Sequence, residues 1–497
     1  MRRYSLILCT AALSSLPAAV SAQAPAAPPL TLQAAIDMAQ QNGPLADVAR
    51  NSRDAARLRN DAFNARLLPQ LFLSGNAANL NRGINPITLP DGSTQFIGQA
   101  QNQSSLQAGF SQAIPLTGGT ISVSSMISRI DQFATSATPY DRRYQTSPVV
   151  IGIQQDLFKP RNIVWNRRAQ SLAASVAERG YLEAREDVAA SVADAFFNLY
   201  AQEMALANAT ANVVVNDTLY TLNKGRFEVG KIGENDLLKS ELALLRARAA
   251  VDDARLARDR AEASLRRIIA YPEGQPLTIV TPDEIPVVNA DPAVAVEQAV
   301  KNSSVTEQAA FDKVAAQRAI VEAKSSNRLT ASIQASVGFN QTSSDLGQSY
   351  QSPLSKQSLA VGVTMPMIQW GAGKAEVQSA IADADRATAN NEIRLDALRE
   401  DAKFSVLQLQ QAQRNIALAA KADTVAGKQF EVARNRYIIG KISNTDLYSA
   451  QDQKDQAVLS YVQALRSYWT AYYHLRRVTL YDFVAQKPLT DTEEVDR

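Results

Sequence analysis

Hydrophobic positions along the chain follow two rhythms, and each rhythm occurs twice. From about Val164 to Asn223 there is no proline and Gly180 is the only glycine, while Val188, Val192, Phe196, Leu199, Leu206 and Val213 recur at helical spacing. A comparable stretch runs from about Ala375 to Tyr437. At 1.5 Å per residue, about 60 residues make a rod of about 90 Å. Such a rod does not fit inside one globular core and predicts a coiled coil or a helical barrel. Alanines at 173, 174, 177, 189, 190 and 193 let helix axes approach closely. The second rhythm has period two. Leu71, Leu73 and Ala77 share one face, as do Val149, Ile151 and Ile153. Leu329, Ala331, Ile333, Ala335, Val337 and Phe339 form a third set, and Leu359, Val361, Val363 and Met365 a fourth. These sets predict strands near 69–79, 147–157, 329–340 and 357–366, each about as long as a tilted strand needs to cross a bilayer. Taken alone, the strands also fit two ordinary sandwich hairpins, and the rods a soluble fibrous coiled coil.

The order of elements repeats because the chain is an internal duplication. RFEVGKIGENDLL at 226–238 matches RYIIGKISNTDLY at 436–448, an offset of 210 residues. AIDMAQQN at 35–42 matches AVEQAVKN at 295–302, an offset of 260. The first copy therefore carries about 50 extra residues, placed within 80–147. In that segment Leu106, Ala108, Phe110, Ile121, Val123 and Ile127 alternate around a Pro115–Gly119 turn, the signature of a hairpin with no counterpart in the second copy. We read it as an extracellular loop, with two added strands as the alternative. The organisation expected is a signal peptide at 1–22, a first repeat at 23–280 with a helical hairpin at 164–270, a Pro- and acid-rich linker at 281–292, a second repeat at 293–485 with a helical hairpin at 375–479, and an acidic tail at 486–497 read as disordered.

Arg2 and Arg3, the apolar run Tyr4–Val20 and the small residues around Ala22 form a secretory signal, cleaved before Gln23. Ser14, Ser15 and Pro17 break the run and argue against a transmembrane anchor. The only cysteine, Cys9, leaves with it, so no disulfide is expected. Lys and Arg total 51 against 49 Asp and Glu, and loss of Arg2 and Arg3 leaves 49 against 49. A neutral chain does not suit nucleic acid. With one histidine and one cysteine, most metal and His-based catalytic sites are excluded, and no metal or cofactor is expected. No later apolar run reaches about 18 residues, so an exported chain that crosses a membrane must do so with strands.

Candidate chemistry is sparse. No phosphate-binding loop, dinucleotide fingerprint or nucleophile elbow is present. Gly371-x-Gly373 reads as a strand-to-helix turn, His474 as a packing or helix-end charge, and Asp187, Asp194 and Asp252-Asp253 as solvated faces or pore lining. Tyr468-Trp469 and Tyr472-Tyr473 recur at helical spacing and read as packing. The duplicated motif is the feature to follow. Gly230 and Gly440 end the long helices. Asn235-Asp236 and Asn444-Thr445-Asp446 supply side-chain oxygens for the next helix start. The motif is a capped hairpin tip, and two such tips with Lys231 and Lys441 suit polar recognition of a partner.

With its signal, its LTLQAAIDMAQQNGPLA opening, ARLLPQLFLSG at 65–75 and the duplicated F-x-V-G…D-L tip, the sequence resembles the outer-membrane efflux protein family, the TolC-type channels, over roughly residues 30–485. The resemblance implies an α+β membrane protein whose protomers each give four strands. Three of them close a twelve-stranded β-barrel that continues into a periplasmic α-helical barrel of coiled-coil hairpins. It implies a homotrimeric, passive export duct in the bacterial outer membrane, docked through its tips to a periplasmic adaptor and an inner-membrane pump, and not an enzyme. Docking falls on Arg226, Gly230, Lys231, Asp236, Arg436, Gly440, Lys441 and Asp446. Known members narrow the aperture with two acids three residues apart. Here Asp446 is present, but the position three on is Ser449, so the ring carries half the charge. The same fold also serves as the exit of type I protein secretion, which neighbouring genes would separate. A periplasmic coiled-coil structural protein is the reading from another class.

Overall fold

The computed structural model describes residues 29–88, 90–134, 139–281 and 285–490. The expected signal peptide and residues 491–497 of the expected tail lie outside the described residues. The first repeat begins with β1 (Leu30–Thr31) and α1 (Leu32–Asn42), where the Thr31 hydroxyl accepts from the Ala34 N–H at 3.2 Å. Gly43 separates α1 from α2 (Pro44–Ala65), whose Pro44 sits in the first turn, where a missing N–H costs nothing. Five strands follow: β2 (Gln70–Asn76), β3 (Leu80–Thr88), β4 (Thr94–Ala113), β5 (Thr120–Gln132) and β6 (Asp141–Leu157). The helical hairpin is α3 (Asn162–Glu228) with α4 (Glu234–Ile269). A short β7 (Ile279–Val280) pairs in parallel with β1.

The second repeat runs α5 (Pro292–Asn302), α6 (Ser304–Ser326), β8 (Thr330–Ser343), β9 (Leu354–Thr364), α7 (Ala372–Ile438) and α8 (Asn444–Thr479). The small hairpin β10 (Tyr481–Asp482) and β11 (Lys487–Pro488) ends it and buries Leu489, so residues 487–489 of the expected tail are folded. Both long helices, α3 and α7, contain 67 residues, about 100 Å of rod. Both return helices, α4 and α8, contain 36. Among the described residues no helix is long and apolar enough to cross a membrane.

The main core sits near the middle of the rods. Val192, Phe196 and Leu199 of α3, Leu265 and Ile269 of α4, Val406 and Leu409 of α7 and Tyr468 and Leu475 of α8 meet there, strapped by Ala35, Ile36 and Ala39 of α1. Phe196 alone, fully buried, contributes about 2–3 kcal/mol of apolar transfer energy. The Tyr468, Trp469, Tyr472 and Tyr473 rings pack on one another in this core, and the Tyr468 hydroxyl donates to the Pro286 carbonyl. Three ion pairs tie the repeats along α3 and α8: Arg476–Glu186 at 2.9 Å, Arg466–Asp194 at 2.6 Å and Arg477–Asp187 at 2.8 Å. Asp187 and Asp194 are thus inter-repeat partners as well as surface acids. His474 lies 3.2 Å from Asp401.

Above the helices stands one antiparallel sheet in the order β2-β4-β5-β6-β8-β9. Here the structure corrects the sequence. The inserted segment is not a loop: β4 and β5 are full strands between β2 and β6. The sheet path holds six strands rather than the four expected from the resemblance. The reason is pairing. The backbone N–H and C=O groups of a 13-residue strand need partners, and β5 bonds β4 on one side and β6 on the other. β3 continues the column of β2, because β2 pairs with residues 105–111 of β4 and β3 with residues 94–102.

Candidate functional site

Two regions carry the chemistry of the fold: the tips of the helical hairpins and the wall of the sheet. At the first tip α3 ends on a left-handed Gly230, φ +74°, with its N–H on the Phe227 carbonyl at 2.8 Å and the Lys231 N–H on the Arg226 carbonyl at 2.8 Å. At the second, Gly440 has φ +74°, its N–H meets the Tyr437 carbonyl at 2.9 Å, and the Lys441 N–H meets the Arg436 carbonyl at 2.8 Å. The six-to-one bond closes both helices, and only glycine takes the left-handed position without strain. Lys231 and Lys441 are exposed at the turns.

The returns differ. α8 starts in a capping box: the Asp446 N–H donates to the Ser443 hydroxyl at 3.2 Å, while the Ser443 N–H and hydroxyl donate to the Asp446 carboxylate at 3.1 and 2.8 Å. Hydrogen bonds from Ser443, side chain first and backbone second, hold the Asp446 carboxyl below the usual carboxylate range. α4 starts from Gly233 with no side-chain cap. Asn235-Asp236 and Asn444-Thr445 therefore do not act as N-caps. Capping needs the oxygen at the residue before the first turn, and in the second tip that residue is Ser443. Asp236 stands in the first turn of α4, where its charge faces the positive helix end.

The matched arginines also differ. Arg226 lies over the Tyr437 ring, 5.5 Å from its centroid, and donates to the Ile438 carbonyl at 3.1 Å. The Tyr437 hydroxyl donates to Asn223 Oδ1 at 2.9 Å. Leu219, Tyr437 and Leu447 form a small core beneath, and burial pushes the Tyr448 hydroxyl up to about 12. Arg226 is thus a clamp between the two hairpins, while Arg436 remains on the exposed face. Asn223 and Tyr437 are site residues that sequence reasoning missed. The signal the sequence offers is a polar residue, Asn223, set beside the apolar stripe of Leu219 and Leu222.

In the sheet, neighbouring rows alternate in character. One row runs Leu71, Phe110, Val123, Ile151, Val337, whose side chains lie exposed on one face, and ends on Gln357 of β9. The adjacent row runs Gln70, Ser111, Ser122, Gly152, Ser336, Ser358 on the other face. An exposed apolar face over a polar one is the pattern of a transmembrane wall with a wet interior. Trp370, 95% exposed, stands where β9 passes to α7.

With tips and wall in place, the sequence profile of outer membrane efflux proteins matches residues 35–270 and 295–479. The chain belongs to the outer membrane efflux protein family. It is accordingly an outer-membrane channel protein that extends into the periplasm, and not an enzyme. The solved Campylobacter jejuni CmeC outer membrane channel is similar at 16% identity, with a TM-score of 0.66 over 94% of this chain and 88% of that one. VceC of Vibrio cholerae is similar at 15% identity, with a TM-score of 0.64 over 90% of this chain and 95% of that one. The open-state Neisseria gonorrhoeae MtrE channel gives 17%, 0.59, 90% and 88%. No curated protein sequence matches the chain. In this chain the efflux-family fold joins two repeats whose long helices correspond and whose strands do not.

Proposed function

We propose that three copies assemble into a passive exit duct for small molecules, whose tips dock on a periplasmic adaptor that recruits an inner-membrane pump. The carrying observation is the continuity of one protomer. A sheet with an apolar outer face passes directly into rods of about 100 Å, and these end in two matched polar tips. A lone open sheet would leave β2 and β9 unpaired in lipid, which assembly of copies removes. In this reading Gly230, Lys231 and Asp236, with Gly440 and Lys441, present the docking surface. Arg226 and Arg436 flank it, and three copies of Asp446 ring the aperture.

The test is single-channel conductance of the detergent-purified protein in a planar bilayer, with mass determination on the same sample. Stable ion-conducting events from a trimer support the duct. A water-soluble species that never inserts overturns it and favours a periplasmic structural protein. Docking has its own test. Gly230→Val and Gly440→Val force a β-branched residue to φ +74°, and both variants are expected to remain trimeric while losing adaptor-dependent export. Normal export in both sinks the tip assignment.

A further inference from the structure

We propose that the insertion of the first repeat is built into the barrel wall, so that three protomers close a barrel of eighteen strands with an exit pore much wider than twelve strands enclose. The proposal rests on the trimeric reading above. Its ground is the sheet itself. β4 and β5 bond their neighbours over their length, from Ala113↔Thr120 to Gln101↔Gln132 between them and from Thr120↔Gln154 to Gln132↔Asp141 towards β6.

The β4–β5 turn lies at the rim where the helices begin. Arg161, the residue before α3, donates to the Leu116 carbonyl at 3.0 Å, and Gln155 donates to the Thr117 carbonyl at 3.1 Å. The hairpin therefore spans the same height as β6 and β8. It also keeps their sidedness. Phe110 and Val123 continue the apolar row between Leu71 and Ile151, and Ser111 and Ser122 continue the polar row between Gln70 and Gly152. A loop folded outside the wall or plugging the lumen has no reason to hold that phase across four partners.

The sheet is sheared as a closed wall must be. The perpendicular from Gln70 passes through Ser111, Ser122, Gly152 and Ser336 to Ser358, which is six residues short of the end of β9 at Thr364. Six residues of about 3.3 Å against five steps of about 4.8 Å give a tilt of about 40°, within the range for barrels. The edges suit a second copy of this chain. Natural sheets guard free edges with charge, yet β2 carries no charged residue, β3 in the same column only Arg82, and β9 only Lys356. β9 of one protomer and β2 of the next are left to pair. Barrel diameter grows about linearly with strand number, so eighteen strands give about one and a half times the width of twelve and about twice the cross-section.

Because the only cysteine is Cys9, single cysteines report cleanly. Ser122→Cys, Ser124→Cys, Ile121→Cys and Val123→Cys are made singly in the full chain and reconstituted in phospholipid vesicles. A charged, water-soluble maleimide is expected to label positions 122 and 124 at least about tenfold faster than 121 and 123. A fluorophore at 121 or 123 is expected to be quenched by nitroxide lipids and one at 122 or 124 to be spared. Threefold-averaged images of the same sample are expected to resolve eighteen strands. Equal labelling of both faces, or twelve strands, in a sample that is trimeric and conducting overturns the wall and leaves the duct standing. A sample that neither trimerises nor conducts overturns the duct and the wall with it.

Discussion

The two repeats agree residue for residue in their long helical hairpins and disagree in their strands. α3 and α7 have 67 residues each and α4 and α8 have 36, whereas the first repeat gives β2, β4, β5 and β6 to the sheet path and the second gives β8 and β9. The difference follows from what each part must match. In the proposed trimer a helical barrel is held by neighbours of equal length along its whole height, and tips that dock on one partner must end at one level. A β-barrel can accept a hairpin anywhere in its circumference, because a hairpin brings two edges that pair with the two it separates. Its cost is met locally by a ladder on both sides. Growth of the wall by pairs is the step such a fold tolerates, and growth of the rods is not.

The strongest way to break the comparison is to make the strands equal too. Deleting residues 80–138 joins β2 to β6 by a short link and leaves two strands per repeat. The variant is expected to remain trimeric, with a barrel of about two-thirds the original diameter, seen as a smaller cut-off when neutral polymers are excluded from the channel. An unchanged polymer cut-off means that the wall never limited it. A second comparison uses matched core positions. Phe196 and Val406 stand 210 residues apart and both are fully buried. Phe196→Ala is expected to cost about 3–5 kcal/mol in denaturant unfolding of the purified protein, and Val406→Ala clearly less, because the cavity left is smaller. Equal losses would mean that the site at Phe196 collapses around the smaller side chain and that the two matched positions are energetically alike.

Much of this was legible in the sequence, and the gaps have physical causes. Helix periodicity is written in single side chains, so the rods could be placed within a few residues. The outer-face residues of β4 and β5 were legible as well, from Leu106 and Phe110 to Val123 and Ile127. Their place was not, because the insertion has no counterpart in the second copy and pairing partners lie outside any local pattern. β4 runs for 20 residues, and its QNQSS stretch at 101–105 offers no apolar contrast from which to read a strand. The glycines of the tips could be assigned from sequence alone. The clamp could not, since Arg226 and Ile438 lie 212 residues apart and the matched Arg436 makes no such contact.

That inequality is itself testable. Arg226→Ala removes the cap on the Ile438 carbonyl and the cover over Tyr437, at a cost of about 1 kcal/mol, whereas Arg436→Ala is expected to be neutral. Amide hydrogen exchange at the two tips reads the difference. Faster exchange around Tyr437 in the first variant only is the expected result, and equal exchange in both removes the clamp.

The finest difference is one residue at the start of each return helix. Ser443 caps α8 with Asp446 three residues on; Gly233 holds the same place in α4, with Asp236 three residues on. Gly233 already has the extended φ of −81° that a capping serine takes, and a side chain there meets open space. Gly233→Ser is therefore expected to complete a second capping box and slow exchange at the first tip, a gain of about 0.3 kcal/mol. The pH dependence separates a box from a mere loss of glycine. The Asp446 carboxyl is held below its ordinary range, so the stability it lends is present above the unfolded value and disappears as pH falls through the folded one. The new protection in Gly233→Ser should fade over the same acidic range as that of α8. Protection that is indifferent to pH would mean that the serine acts through backbone stiffness alone and that Asp236 does not answer it as Asp446 answers Ser443.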